Sequence, residues 1–248
     1  MSNQLFKNFP EIQYTLSTGK IVTIKDFFRK STVEQDSVSS IISYTYYEIQ
    51  DGERPDVVAD RLYGDSDLHW TFFLVNDMDN YYQWYKDQTT FENHLKSMYP
   101  EYWLIASNSS DIVSSTNKFL LGEIIESSLE KGNVISVQPS FNRIGVAGGN
   151  WNANDVVTGK VSGKSFTVSS VVLGPDGIDH YVNSEGLKRN TTATGFTPVS
   201  YYKHDFDVNE ERRKIKVIRP EYIRRVVSEF EKAHRYSRDL GRPRLRAK

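Results

Sequence analysis

The sequence predicts an α+β protein in which a small antiparallel β-domain is inserted between a β-α-α-β module and a C-terminal amphipathic helix. Residues 44–85 have the pattern of a strand, two short helices and an extended return. Residues 106–182 carry short alternating runs between turn residues, and apolar residues recur at helical spacing after Pro220. The predicted segments are an N-terminal anchoring segment (1–43), the module with a following helix (44–105), a β-rich insert (106–204), and a strand, amphipathic helix and basic tail (205–248).

The N-terminal segment is predicted to anchor through separate apolar side chains and then to form one short helix. Thr18-Gly19 favours a turn, and Thr23 with Asp26 has the spacing of a capping box, which predicts a helix start. The expected anchors are Phe6, Phe9, Pro10, Ile12 and Tyr14, and the expected inner face of the helix is Ile24, Phe27 and Phe28. Residues 31–43 are polar and are predicted to form a flexible lead into the module.

A tyrosine-rich strand and a first helix open the module. The run Tyr44–Glu48 is rich in residues that favour strands, and Asp51-Gly52 closes it. Pro55 fits the first turn of a helix because its missing N–H costs nothing there. Gly64 suits the left-handed position that ends a helix. The pattern therefore predicts a helix that begins at Pro55 and is capped at Gly64.

A second short helix and an aromatic run complete the module. Ser66 is placed to cap the helix and Asn76-Asp77 ends it. Trp70 is predicted to bridge the helix to the aromatic run. The expected inner face of the helix consists of Leu68, Phe72 and Val75. The candidate partner-binding residues of the aromatic run are Tyr81, Tyr82 and Trp84, and Trp84 is the tryptophan expected to contact a partner.

The chain beyond the module is predicted to form a helix, a set of short strands, and a final strand and helix. Thr89 with Glu92 predicts a capped helix that ends at Pro100. Its expected apolar residues are Phe91, Leu95 and Met98. The clearest predicted strands are Val134–Val137, Val156–Val161, Ser165–Val172 and Glu210–Val217, and the predicted turns are Ser162-Gly163, Gly174–Gly177, Asn183–Gly186 and the flexible Gly145–Gly149. The last helix begins at Pro220 with Ile223, Val226, Val227 and Phe230 on one face.

Composition limits the classes of protein to which the chain can belong. Its 248 residues are enough for one large or two modest domains, and 38% of them are hydrophobic. Cysteine is absent, which excludes disulfides, iron–sulfur clusters and thiolate zinc sites. The first residues lack the pattern of a signal peptide, and no apolar run approaches the ~20 residues that span a membrane. We therefore expect a protein that stays in a cytoplasm or assembles there, without membrane contact.

Charge is distributed unevenly along the chain. The net charge is −1, but residues 212–248 hold fourteen Lys or Arg against four Asp or Glu. The segment after Tyr236 has few apolar side chains, so we expect it to become ordered only on a partner. Arginine outnumbers lysine there, which favours bidentate pairing with carboxylates over diffuse attraction. The candidate residues for binding an acidic protein partner are Arg242, Arg244 and Arg246.

The sequence contains no motif for catalysis, cofactor binding or metal binding. The nucleophile-elbow, phosphate-loop, dinucleotide-binding and His-Glu-x-x-His patterns do not occur. The five histidines lack the i, i+4 spacing of a helical metal site, so each is predicted to be a surface or core residue. We therefore predict a non-enzyme without catalytic, cofactor-binding or metal-binding residues.

The module resembles the LysM module and, more closely, the LysM-containing baseplate wedge subunit of T4-like contractile-tailed phages. The residues that carry the resemblance are Arg54-Pro55, Leu62-Tyr63-Gly64, Trp70, Asn76-Asp77 and Tyr81-Tyr82-Gln83-Trp84. The likeness extends over residues 5–30, 44–103 and 205–235. It implies a structural virion protein, present in six copies per baseplate, that links neighbouring wedges to each other and to the central hub. It also implies assembly in the host cytoplasm, with wedge and hub proteins as partners.

Two other functions are compatible with a LysM-like module. One is a peptidoglycan-binding protein, although such a module usually accompanies a signal peptide or a hydrolase domain. The other is a cell-wall hydrolase component with its catalytic part in residues 106–200, a region that is poor in charged residues. Both are less well supported by the residues than the baseplate role.

Overall fold

The computed structural model describes Phe9 and residues 11–26, 44–113 and 118–236, with side chains as far as Glu231. The chain forms two compact units. Unit 1 consists of the described parts of residues 1–85 and 210–248, and unit 2 consists of those of residues 86–209. Residues 86–105, which the sequence assigned to the module, therefore lie in unit 2.

Unit 1 combines two small antiparallel sheets with three helices. Its strands are β1 (Glu11–Thr15), β2 (Ile21–Lys25), β3 (Tyr44–Glu48) and β14 (Lys214–Ile218). Its helices are α1 (Pro55–Tyr63), α2 (Trp70–Val75) and α6 (Pro220–Tyr236), with 3₁₀ turns at Ser66–His69 and Tyr81–Gln83.

The β-α-α-β order of the module is present, but its closing strand comes from beyond unit 2. β3 pairs with β14 in an antiparallel two-stranded sheet, with Tyr47 opposite Ile215 and Thr45 opposite Val217. The aromatic run expected to form the return is instead a 3₁₀ turn at Tyr81–Gln83. In β14 the exposed Lys214 and Lys216 alternate with the buried Ile215 and Val217, which matches the half-buried face that a closing strand requires.

The helix boundaries of unit 1 follow local signals, with one correction. α1 begins at Pro55, and Gly64 ends it with a left-handed φ of 70°. The cap before the second helix is Asp65, not Ser66, because the Asp65 side chain accepts the backbone N–H of Asp67 at 2.9 Å. α2 ends before Asn76 as predicted.

The prediction that a helix begins at Thr23 is wrong. Residues Ile21–Lys25 form β2, which pairs with β1 across the turn at Gly19. The β-branched residues of this run favour a strand, and a neighbouring strand supplies its hydrogen bonds, which outweighs the capping-box pattern. Phe9 is buried as expected. The predicted positions Phe6, Pro10, Phe27, Phe28 and the lead 31–43 lie outside the described residues.

Unit 2 contains a seven-stranded antiparallel sheet, a three-stranded sheet and peripheral helices. The strands are β4 (Tyr102–Ile105), β5 (Ile124–Glu126), β6 (Lys131–Gln138), β7 (Arg143–Ala147), β8 (Val156–Gly159), β9 (Ser165–Thr167), β10 (Ser170–Leu173), β11 (Ile178–Val182), β12 (Lys188–Arg189) and β13 (Thr197–Ser200). The helices are α3 (Gln88–Met98), α4 (Ser109–Ile112) and α5 (Tyr201–Glu211), the last of which carries the chain back to unit 1. The sheet orders are β10-β4-β7-β6-β5-β8-β9 and β12-β11-β13.

The core of unit 2 lies against the larger sheet and is built mainly from aliphatic side chains. Its buried members are Leu104, Ala106, Ile112, Phe119, Ile125, Val134, Ile144, Val146, Trp151, Val157, Phe166 and Val168. Val134 and Phe166 alternate with exposed residues along β6 and β9. In β7, by contrast, Arg143–Val146 are all buried, so the sheet is covered on both faces there.

Two strand predictions in unit 2 need correction. The single run Ser165–Val172 is divided between β9 and β10, which lie at opposite edges of the seven-stranded sheet. The chain turns between them, and the Ser169 N–H donates to the Ile105 carbonyl. Gly145 belongs to β7 and not to a flexible turn. A Cβ atom there would lie 2.8 Å from Cγ of Pro100, so this strand position has no room for a side chain.

The helices of unit 2 differ from the prediction in three details. Asp87, not Thr89, caps α3 by accepting the Thr90 N–H at 2.8 Å. Met98, expected to be buried, is 62% exposed. α5 was not predicted, because its residues are mostly polar and it meets α3 through aromatic rings that are distant in sequence. The rings concerned are Phe91, Tyr202 and Phe206.

Candidate interaction surface

The turn Tyr81–Gln83 presents two of the predicted partner-binding residues to solvent. Tyr81 is 57% exposed and Tyr82 is 76% exposed. The backbone beneath them is held in place, since the Trp84 N–H donates to the Tyr81 carbonyl at 3.0 Å and the Gln83 side chain accepts the Asp79 N–H. The turn is therefore an ordered platform for two large amphipathic rings.

Trp84, the third predicted contact residue of the aromatic run, is buried. Its side chain is 3% exposed, and its indole Nε1 donates to the Glu53 carbonyl at 2.8 Å. The ring packs near Phe72 and Phe73, with centroid distances of 6.0 and 5.9 Å. Trp84 therefore anchors the tyrosine turn to the core and leaves almost none of its surface for the predicted partner contact.

Trp70 has a different neighbour from the one predicted. Its ring lies 4.7 Å from that of Phe230, and Phe9 belongs to the same buried cluster. Trp70 thus connects α2 to α6, not to the aromatic run. The sequence could not indicate this contact, because Phe230 lies far along the chain and only its position on the apolar face of α6 was recognisable.

A polar network centred on Glu53 supports the loop before α1. Glu53 accepts hydrogen bonds from the Tyr47 hydroxyl at 2.8 Å and from the Gln50 N–H at 2.9 Å, and it pairs with Arg61. Burial alone would raise the pKa of Glu53, but these hydrogen bonds and the Arg61 charge outweigh it and lower the pKa below its ordinary value. Burial also raises the pKa of Tyr47, assisted by the neighbouring carboxylate.

A second network joins the two chain segments of unit 1 where residues 86–209 depart and return. Arg213 pairs with Asp51 at 3.1 Å and with Glu210 at 3.5 Å, and its guanidinium lies 5.0 Å from the centre of the Tyr85 ring. The Tyr85 hydroxyl donates to Asp51 at 2.9 Å. Burial, followed by this hydrogen bond, raises the pKa of Tyr85 to about 12. Tyr85 is therefore a protonated donor that links both segments at neutral pH.

The side chain of Asn76 covers part of the outer edge of β14. Its Nδ2 donates to the Lys216 carbonyl and its Oδ1 accepts the Lys216 N–H, each at 2.8 Å. The amide thus makes both backbone hydrogen bonds of Lys216, as a neighbouring strand would. The sequence identified Asn76 only as the end of a helix, whereas the structure gives it this additional role in fixing the closing strand.

Among the described residues, one group of three side chains has the residue types and spacing to hold a metal ion. From the sequence, each histidine was considered separately, but the structure brings Asp179, His180 and His204 together in unit 2.

The predicted basic contact residues Arg242, Arg244 and Arg246 lie outside the described residues. Within the described part of the chain, no helix has the length and apolar character needed to cross a membrane.

Comparison with protein families gives a match to the first part of the chain. Residues 4–113 match the model of the family described as Base plate wedge protein 53. The match covers less than half of the chain, and over these residues the chain is similar to a phage baseplate wedge protein. No curated protein sequence matches the chain. The matched stretch includes β3, α1 and α2 but ends before β14 and α6, which complete unit 1.

Proposed function

We propose that the chain is a structural subunit of the baseplate wedge of a T4-like contractile phage tail, where it links neighbouring wedges to each other and to the central hub. The observation that carries this proposal is the family match over residues 4–113. The resemblance to the wedge subunit of T4-like phages implies six copies per baseplate, assembled in the host cytoplasm. Other wedge and hub proteins are the proposed partners, without nucleic acid or membrane.

The proposed binding element is the β-α-α-β module of unit 1, used as a LysM-like module that binds protein. Its order of strand, two helices and closing strand supports the likeness. Tyr81 and Tyr82 are the proposed contact residues, because tyrosine combines a rigid apolar ring with a polar tip and is enriched at protein interfaces. Their fixed backbone limits the conformational entropy that binding would remove.

The basic residues Arg242, Arg244 and Arg246 are proposed to pair with an acidic neighbour in the same assembly. The excess of positive charge in residues 212–248 supports this proposal. Deleting residues 237–248 should leave the melting temperature of the free chain unchanged and weaken its incorporation into tails. Because salt screens exposed charges, raising the salt concentration should weaken incorporation of the wild-type chain. Normal incorporation of the truncated chain at every salt concentration would show that these arginines are not needed.

Genetic complementation tests the contact residues. Phage whose reading frame for this chain is interrupted should produce no complete baseplates, and the wild-type chain supplied from a plasmid should restore them. The double variant Tyr81→Ala/Tyr82→Ala should fold normally and restore assembly poorly. Tyr46→Ala, at another exposed tyrosine of unit 1, is the matched control and should complement fully. Equal complementation by both variants would remove the tyrosine turn from the interface.

Peptidoglycan binding is the second candidate function, because the β-α-α-β order of unit 1 is also that of a glycan-binding LysM module. The purified full chain should remain in the supernatant when cell-wall sacculi are sedimented at physiological salt. Saturable co-sedimentation that is lost in Tyr81→Ala/Tyr82→Ala would favour the glycan-binding function over the protein-binding one.

A further inference from the structure

We propose that Asp179, His180 and His204 in unit 2 bind one divalent transition-metal ion of the zinc class. Each of these residues offers a ligand atom, and the three atoms lie within 4.8 Å of one another. His180 is buried, while Asp179 and His204 are partly accessible, so the cluster is reachable from solvent on one side. This inference concerns unit 2 alone and does not depend on the proposed baseplate role.

An irregularity in β11 allows two consecutive residues to reach one site. In a regular strand, neighbouring side chains point to opposite faces of the sheet. The pairing of β11 with β13 shifts register between Ile178 and His180, which places Asp179 at the irregularity. The Asp179 carboxylate and Nδ1 of His180 are consequently only 2.7 Å apart.

The third ligand comes from α5, which begins directly after β13. His204 lies in the first turn of this helix, and its ring centre is 5.5 Å from that of His180 at an interplanar angle of 88°. The backbone N–H of Tyr201 donates to the Gly177 carbonyl at 2.9 Å, which fixes the start of α5 beside β11. The site is therefore built on a strand and a helix that are already in contact.

The ligand types select the class of metal ion. Two imidazoles and one carboxylate suit zinc and neighbouring transition metals, whereas calcium and magnesium prefer oxygen ligands. Ligand atoms around a tetrahedral zinc ion at about 2.0 Å would be about 3.3 Å apart. To bind the ion, the three side chains would rotate until their ligand atoms reach this spacing. Because the protein supplies three ligands, the fourth tetrahedral position is left for water.

The charges that surround the cluster come from three elements. Asp205, next to His204, accepts the Tyr99 hydroxyl at 2.8 Å. Burial first, then the hydrogen bond to Asp205 and the charges of Asp205 and Asp179, raise the pKa of Tyr99. The opposing charge belongs to Arg143, which donates to the Ile178 carbonyl and whose guanidinium lies 4.0 Å from the centre of the Trp103 ring. Two carboxylates against one guanidinium leave a local negative charge that favours a cation.

A bound ion would fasten β11 to α5 and close the chain segment that carries β12 and β13. Closing a loop by a metal clip stabilises the folded state by restricting the unfolded chain. In a chain that has no cysteine, histidine and carboxylate are the residue types that can provide such a clip.

Cobalt titration of the full chain tests the proposal. The chain, freed of any affinity tag and treated with EDTA, is titrated with CoCl₂ while visible absorption is recorded. We expect absorption bands that saturate at one ion per chain and disappear when ZnCl₂ is added. Adding ZnCl₂ should also raise the melting temperature, because a ligand that binds only the folded state stabilises it.

Three variants make the test specific. His204→Gln should reduce cobalt affinity by more than about 100-fold, because losing even an outer hydrogen bond to a metal ligand costs about 10–100-fold. His94→Gln, in the same unit, should bind as the wild type does. Should His204→Gln fail to fold by circular dichroism, Asp179→Asn takes its place. Absence of saturable binding in the wild type, or unchanged affinity in the folded ligand variant, would overturn the proposal.

Discussion

The two units differ in how the chain that builds them is connected. Unit 2 is one uninterrupted stretch, residues 86–209, whereas unit 1 takes its closing strand and last helix from beyond that stretch. Among the described residues, β3 pairs with β14, and the ring of Trp70 packs against that of Phe230. The comparison shows that a module with clear local signals can still depend on residues far along the chain for its sheet and core.

The units also differ in what they bury. Unit 1 buries aromatic rings that connect separate elements, next to a cluster of aliphatic residues. The main core of unit 2 is mostly aliphatic, and its aromatic rings join α3 to α5. In both units a side-chain amide joins backbone segments that are distant in sequence. Asn76 does so at Lys216, and Asn209 bonds both the N–H and the carbonyl of Lys86 at 2.9 Å. The close ends of residues 86–209 are a feature that allows a domain to be inserted within another.

Chain truncation should produce the largest difference between the units. Residues 1–85 alone lack β14 and α6, so we expect no cooperative unfolding transition, whereas residues 86–209 should fold alone. Joining residues 1–85 to 210–248 through a short flexible linker should restore a transition to unit 1. Urea unfolding followed by circular dichroism measures all three. A cooperative transition in residues 1–85 would contradict the dependence of unit 1 on its distant strand.

Trp70→Ala should be the most damaging of the point substitutions considered for unit 1. Trp70 is buried against Phe230, and truncating a buried tryptophan costs about 3–5 kcal/mol in the free energy of unfolding. The exposed Tyr82→Ala is the control and should change that free energy by less than about 0.5 kcal/mol. Chemical denaturation of the full chain gives both values. An unchanged midpoint for Trp70→Ala would place this residue outside the core.

Removing the amide bridges compares the two units directly. Asn76→Ala in unit 1 and Asn209→Ala in unit 2 should each lower the free energy of unfolding by about 1–3 kcal/mol, since each leaves backbone groups without partners. Asn209 is the more deeply buried of the two, so its substitution should cost more. Asn190→Ala, at an exposed position, is the control. Denaturation curves in which both variants match Asn190→Ala would show that these hydrogen bonds add no net stability.

Removing the Glu53 carboxylate of unit 1 should produce the smallest effect, seen in the pH dependence of stability. The pKa of Glu53 is lowered in the fold, so its stabilising contribution is present above the unfolded pKa of about 4.3 and is lost as pH falls through the folded value. Glu53→Gln should therefore flatten this part of the pH dependence of the unfolding free energy. Glu185→Gln, at an exposed position, provides the comparison. Identical acid profiles for the wild type and Glu53→Gln would exclude this contribution.

The sequence predicted best those features that depend on neighbouring residues. Pro55 and Gly64 define α1 through their own backbone preferences, and the apolar spacing after Pro220 defines the buried face of α6. The pairing of β3 with β14 was beyond local reasoning, because strand pairing depends on contacts between distant segments. For the same reason, the role of Asn76 at the edge of β14 could not be read from its position after a helix.

Predictions failed where two local signals competed or where a site was assembled by the fold. Thr23 and Asp26 match a capping box, but the pairing of β2 with β1 favours the strand. Within one aromatic run, the sequence could not show that Tyr81 and Tyr82 are exposed and Trp84 is buried. The reason is that a 3₁₀ turn sets which rings face the core. The cluster of Asp179, His180 and His204 needs a strand irregularity and a separate helix, neither of which has a recognisable sequence pattern.

Electron cryomicroscopy of purified tails, from the phage that encodes this chain, tests its placement in the baseplate most directly. We expect six copies in the baseplate, with β3 and β14 paired as one module and the turn Tyr81–Gln83 against a neighbouring wedge or hub subunit. Tails that are complete but contain no density for this chain would contradict a structural role in the baseplate.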